Sequence, residues 1–162
     1  MKGTTHFAAG TLAGMSTALM LGLDMGEALP VIACSGIASM VPDIDVGTSK
    51  MGRLVGPGSF LIQLFIGHRT FFHAPLPYAA ALTALWIWQP SWWLYLTAAG
   101  IGILSHLILD SFNPAGVPML WPSAKRLHLG NHTSGGIVDR LLGIALILAN
   151  IWLFSNYADF TG

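Results

Sequence analysis

Long apolar stretches separated by short polar connections make up most of the chain. Roughly 20 apolar residues are needed for one bilayer crossing, and five stretches come near that length: Thr5 to Leu23, Ala28 to Val41, Phe71 to Trp88, Trp92 to Leu109 and Ile137 to Tyr157. The second is Gly/Ala-rich and only about fourteen residues long, with Pro30 near its start. It is therefore expected to cross, or to lie tilted or re-entrant. Gly56-Pro57-Gly58 breaks any regular span over Leu54 to Gly67 and leaves Ser59 to Ile66 as a short interfacial or partly buried helix. Gln89-Pro90-Ser91 lies between Trp86, Trp88, Trp92 and Trp93, the pattern of a hairpin turn in an interfacial aromatic belt. Gly10 and Gly14 stand four apart, a spacing that lets helix backbones approach closely in lipid. The expected fold is all-α: a polytopic transmembrane helical bundle of about five membrane helices plus a short interfacial helix. No linker-like stretch divides residues 1–162, which are read as a single integral-membrane domain.

Composition supports the bilayer as solvent. Charged residues make up 9% of the chain against roughly 25% in average soluble proteins, while 54% are apolar and the mean hydropathy is +0.65. Seven Lys/Arg balance seven Asp/Glu, so no basic field exists to attract nucleic acid, and no nucleic-acid partner is expected. The single Cys34 excludes an intrachain disulfide framework and a Cys-rich zinc cluster. Val31-Ile32-Ala33-Cys34 superficially matches a lipoprotein cleavage box, but Asp24, Glu27 and Pro30 interrupt the apolar run before it. Cys34 is read instead as a small buried hydrophobe.

Basic residues are retained on the cytoplasmic side of short loops. With the N-terminus inside and five crossings, Lys2, Lys50, Arg53, Arg69, Lys125, Arg126 and Arg140 all fall inside, while the Asp24/Glu27 turn, the Trp-lined turn and the C-terminus fall outside. In this topology the ionisable residues gather near the inner face. His6 opens the first segment; Asp43 and Asp45 close the second; His68 and His73 open the third. His106 and Asp110 stand four apart on one face near the inner end of the fourth, and Asp139 opens the fifth. Ionisable groups in membrane segments cost several kcal/mol each unless paired, hydrated or bound to a cation. Imidazole nitrogen and carboxylate oxygen are ligands for divalent metals. His6, Asp43, Asp45, His68, His73, His106, Asp110 and Asp139 are the candidate metal ligands. Asp43, Asp45, Asp110 and Asp139 carry enough charge to neutralise two divalent ions. Taken singly, Pro42-Asp43-Ile44-Asp45 also suits a helix-terminal turn, and His106 with Asp110 a buried hydrogen-bonded pair. His128 and His132 are read as solvated loop residues.

These motifs, together with Asn113-Pro114-Ala115-Gly116-Val117-Pro118-Met119-Leu120-Trp121-Pro122, resemble those of the YdjM-type membrane-bound metal-dependent hydrolases of bacteria and archaea. The resemblance covers most of the chain. It implies a multi-helix protein of the cytoplasmic (inner) membrane with metal-binding His/Asp residues and a hydrolase role. Two departures are visible. Thr70-Phe71-Phe72 and Ala74 stand where the family segment runs His-Arg-Gly-x-Thr-His-Ser, and Asp139 stands where the family tends to carry Glu.

The expected function is hydrolysis of a phosphate or related ester at the cytoplasmic membrane face, with one or two divalent ions, Zn or Mn, per chain. The ion would lower the pKa of a water and polarise the scissile group. Asp43, Asp45, His68 and Arg69 are the candidate catalytic residues, Arg69 as the guanidinium that grips an anionic substrate bidentately. The expected partner is a membrane lipid or a membrane-associated phosphoester. A divalent-ion transporter and a non-enzymatic metal-pinned protein are the alternatives. A transporter usually holds its ligands near the midplane rather than at one interface.

Overall fold

The computed structural model describes residues 1–59, 70–123 and 125–161. Within them the chain is helical: α1 (Gly3–Met20), α2 (Met25–Ala38), α3 (Lys50–Val55), α4 (Pro75–Trp88), α5 (Trp93–Ser111), α6 (Ile137–Ser155) and α7 (Tyr157–Thr161). Short 3-10 turns occupy Val41–Asp45, Phe71–His73 and Pro90–Trp92. Among the described residues three helical stretches are long and apolar enough to cross a membrane: Met25–Asp45, Pro90–Ser111 and Ile137–Ser155.

The other two expected segments differ from the pattern reading for physical reasons. α1 carries five hydroxyl side chains and His6 among its 18 residues, so its apolar content is diluted. The third segment starts late, because Ala74-Pro75 separates Phe71–His73 from the helix, leaving 14 residues. At 1.5 Å per residue these reach about 21 Å, short of the roughly 30 Å hydrocarbon core. Apart from Ser59, the expected Ser59 to Ile66 helix lies outside the described residues. The break foreseen at Gly56-Pro57-Gly58 is present: Gly56 ends α3 at φ +60°, where only a residue without Cβ sits easily.

α1, α2 and α5 form the packed centre. The α1–α2 turn is a Schellman closure, with Gly22 at φ +64° while Leu23 N donates to Ala18 O and Gly22 N to Leu19 O. Asp24 then caps α2 by accepting from Glu27 N at 3.0 Å. Small residues bring the backbones together: a Cβ on Gly10 would meet Ser39 Cβ at 2.5 Å, and one on Gly102 of α5 would meet Ser35 O at 2.1 Å. The two serines use that proximity, Ser35 Oγ donating to Gly10 O at 2.8 Å and Ser39 Oγ to His6 O at 2.9 Å. In lipid such close packing replaces the hydrophobic effect as the source of association.

One apolar cluster, with Met15, Val31, Ala98 and Tyr157, fills the end near the α1–α2 turn, where Tyr157 Oη donates to Leu23 O. A second, Ala38, Ile103, Leu107 and Val117, lies toward the other end. α6 leans on α1 through Asn150 Nδ2, which donates to Ala8 O at 2.8 Å. Ile137, Leu141, Ile144, Leu148 and Ile151 remain exposed along α6, a face suited to acyl chains.

Candidate metal centre

The buried ionisable side chains other than Asp139 converge where α1, α5 and two 3-10 turns meet. α1 contributes His6 one turn before Gly10, so the same close approach that seats Gly10 against Ser39 drives His6 inward. α2 runs into the Val41–Asp45 turn, started by Pro42, which delivers Asp43 and Asp45. The Phe71–His73 turn delivers His73 just before Pro75 begins α4. His106 and Asp110 stand one turn apart on the inward face of α5.

Asp43, His73, His106 and Asp110 each offer one ligand atom, and those atoms all lie within 4.8 Å of one another. His73 Nε2 is 3.7 Å from Asp43 Oδ1 and 3.7 Å from Asp110 Oδ2, and His106 Nε2 is 3.9 Å and 3.7 Å from the same oxygens. Two ligands about 2.0–2.2 Å from a common ion stand at most about 4.4 Å apart, so these spacings suit a shared cation. The other contacts aim the ligands. His106 Nδ1 lies 2.7 Å from Ser39 O; a carbonyl only accepts, so Nδ1 carries the proton and Nε2 turns its lone pair to the cluster. Asp110 Oδ1 is occupied from three directions, by the amino group of Met1 at 2.6 Å, by Asn113 Nδ2, and by His6 Nε2 at 3.2 Å without hydrogen-bond alignment. Oδ2 is thereby held toward His73 and His106.

The donor set fits a divalent cation. Among the described residues neither ring nitrogen of His6, neither of His73, nor Nε2 of His106 has a hydrogen-bond partner, although all are buried. Each such orphan costs on the order of 1–3 kcal/mol, a cost that a bound ion removes for those it coordinates. Two imidazoles and two carboxylates are a chemically ordinary ligand set for zinc or manganese. Asp43 alone of the four keeps exposure, 13% of its side chain against 0–1% for the other three.

The remaining sequence candidates take different places. His6 stacks on His106 with ring centroids 3.8 Å apart, beside the four residues whose candidate ligand atoms converge. Asp45 Oδ1 is 4.0 Å from His73 Nδ1, on the nitrogen that does not face Asp43 and Asp110, beyond hydrogen-bond distance of it. Asp139 is not in the group. Its Oδ1 accepts from Thr5 Oγ1 at 2.7 Å and its Oδ2 from Lys2 N at 2.9 Å and Gly135 N at 2.6 Å, so it ties the start of α6 to α1. The reason is its position: three residues after the Gly136 cap its carboxylate reaches back to Gly135 N, and the start of α1 brings Lys2 N and the Thr5 hydroxyl to it. His68 and Arg69 lie outside the described residues. Asn113, buried at 1% exposure, was not singled out for a role from sequence; its place three residues after Asp110 at a helix end is the signal that would have pointed to it.

The chain matches the YdjM inner membrane protein family over residues 1–159. It is 30% identical over 137 residues to "Inner membrane protein YdjM" of Escherichia coli (strain K12), and equally to that of Shigella flexneri, which covers 81% of this chain and 70% of each relative. It is 32% identical over 161 residues to "Uncharacterized protein YvsG" of Bacillus subtilis (strain 168), covering 95% of this chain and 94% of that one. No solved structure matches it.

Proposed function

The chain belongs to the YdjM family of inner membrane proteins, and on that premise we propose that it is a membrane-embedded hydrolase using one or two divalent ions, zinc or manganese, to cleave a phosphate or related ester at the cytoplasmic face. The observation that carries this reading is the buried Asp43, His73, His106 and Asp110 group, whose ligand atoms fit around one cation. An ion held there would act as a Lewis acid and lower the pKa of a water. The chain's own groups divide the remaining work. His106 is locked in one tautomer by Ser39 O. Asp45 stands behind His73, and Asp43, the ligand with outside exposure, lines the approach. In this reading Asp43 holds or relays the proton at its free oxygen, while Arg69 binds the anionic substrate, a role argued from its place between His68 and His73 in sequence. The N-terminus lies inside and the chain crosses five times, a topology supported by the one-sided Lys/Arg distribution.

The test is a panel of phospholipids, isoprenoid phosphates and soluble phosphoesters offered to the metal-loaded protein. Turnover that Asp43→Asn abolishes supports the hydrolase. A divalent-ion flux in reconstituted vesicles that Asp43→Asn eliminates, with no ester cleaved, replaces it by transport. A purely structural ion is the second reading with an observation behind it, because three of the four ligand side chains are almost wholly buried.

A further inference from the structure

A valley on the membrane side of the molecule, between α1 and α6, takes no part in the cluster. Three adjoining hollows form it, and Ile147 lines each of them. The largest has a volume of about 510 Å³ and is almost purely apolar, with Met15 on α1 and Ile151 and Phe154 on α6 among its walls. Toward the other end Thr4 lines two adjoining hollows, one reaching Lys2 and Arg140 and the other Lys50. Two of these cations converge on one turn, since the Lys2 side chain lies over Gly135 and Arg140 Nε donates to Gly135 O at 3.0 Å. The carboxylate at this mouth, Asp139, is 1% exposed and already accepts from three donors. The mouth thus presents positive charge to solvent.

We propose that this valley binds one anionic phospholipid, its phosphate among Lys2, Lys50 and Arg140 and one acyl chain along the apolar floor. The dimensions agree. From Arg140 to Phe154 α6 advances about 21 Å, enough to carry a chain through one leaflet, about half of a 30 Å hydrocarbon core. Ammonium and guanidinium groups at the end of an apolar trough select an anionic head over a zwitterionic one, each contributing attraction near the surface. Positive-inside retention explains basic residues on that side of the membrane, but not their gathering at the end of a chain-sized groove. The cluster faces α2 and α5 from the other side of α1, so this site is independent of the hydrolase reading.

The test uses the purified full chain in nanodiscs or detergent, with phosphatidylglycerol or phosphatidylcholine of matched chains as probes, read by native mass spectrometry. The wild type should retain one phosphatidylglycerol saturably and in preference to phosphatidylcholine. Lys2→Gln and Arg140→Gln should each weaken that retention about fivefold. Lys125→Gln, at a residue that lines none of the three hollows, should leave it at the wild-type level. Ile147→Trp, which fills the valley floor, should abolish retention while circular dichroism shows unchanged helix content. Should that variant fail to fold, the two charge variants still decide. Equal retention of the two lipids, or charge variants that bind like the wild type, overturns the proposal. So does a stable wild-type dimer that admits lipid only on dissociation, which would assign the valley to a second copy of the chain.

Discussion

Asp110 and Asp139 show how two buried aspartates at helix ends acquire different work. Asp110 sits at the C-terminal end of α5, where carbonyls rather than N–H groups are free; Met1 N and Asn113 Nδ2 donate to it, and His6, His73 and His106 lie beside it without hydrogen-bond contact. Asp139 sits at the N-terminal turn of α6 and is saturated by N–H and hydroxyl donors. Asp139→Ala should therefore lower stability by about 1–3 kcal/mol by orphaning those donors while leaving bound metal unchanged. Thermal unfolding and metal content of the same sample check both halves, and metal lost in proportion to neither ligand nor fold would contradict the assignment. Asn113→Ala keeps every candidate ligand but removes one of the donors that hold Asp110 Oδ1, so metal affinity should fall about 10–100-fold, read by competition with a chelator. The shared face of His106 and Asp110 was legible from sequence in their four-residue spacing, and His6 in its place at the start of the first apolar segment. The separation of Asp139 was not, since depth in the membrane alone puts it beside the others and only the donors around it distinguish clamp from ligand.

At the level of elements, the ligands are brought together by backbone proximity rather than by large side chains. Gly102 of α5 lies one turn before His106, and its backbone rests on Ser35 of α2, whose helix leads to Asp43. Gly102→Ala places a Cβ 2.1 Å from Ser35 O, a backbone atom that cannot swing away. The helices must part, at a cost of about 1–3 kcal/mol or more, and Asp43 and His106 part with them. A lower unfolding temperature together with weaker metal binding is the expected result; Gly3→Ala, whose Cβ meets nothing within 4 Å, is the control. Gly10 and Gly14 announced this kind of packing in the sequence, and Gly56-Pro57-Gly58 announced the end of α3. The late start of α4 was missed, because Phe71, Phe72 and Leu76 continue the apolar pattern straight through Ala74-Pro75, where the backbone leaves the helix.

At the scale of the molecule, three stretches among the described residues are long and apolar enough to cross, whereas the expectation from charge placement is five crossings with the N-terminus inside. A reporter fused after Gly162 should then read as external; an internal signal would mean an even number of crossings. α1 and α4 decide the count, as the most polar and the shortest of the expected spans, and α1 gains most from being surrounded by α2, α5 and α6. Its polar groups are answered by neighbouring helices, Ser39 on His6 O and Asn150 on Ala8 O, which a hydropathy pattern does not register. All of these elements meet around the His/Asp group, and the claim that it holds a cation is tested most directly by the metal content of purified protein. Elemental mass spectrometry of the wild type should find one or two divalent ions per chain, with a clear loss in both His106→Ala and Asp110→Ala and none in Asp139→Ala. A folded wild type free of metal after metal-replete growth, or the same stoichiometry in all four proteins, would contradict it.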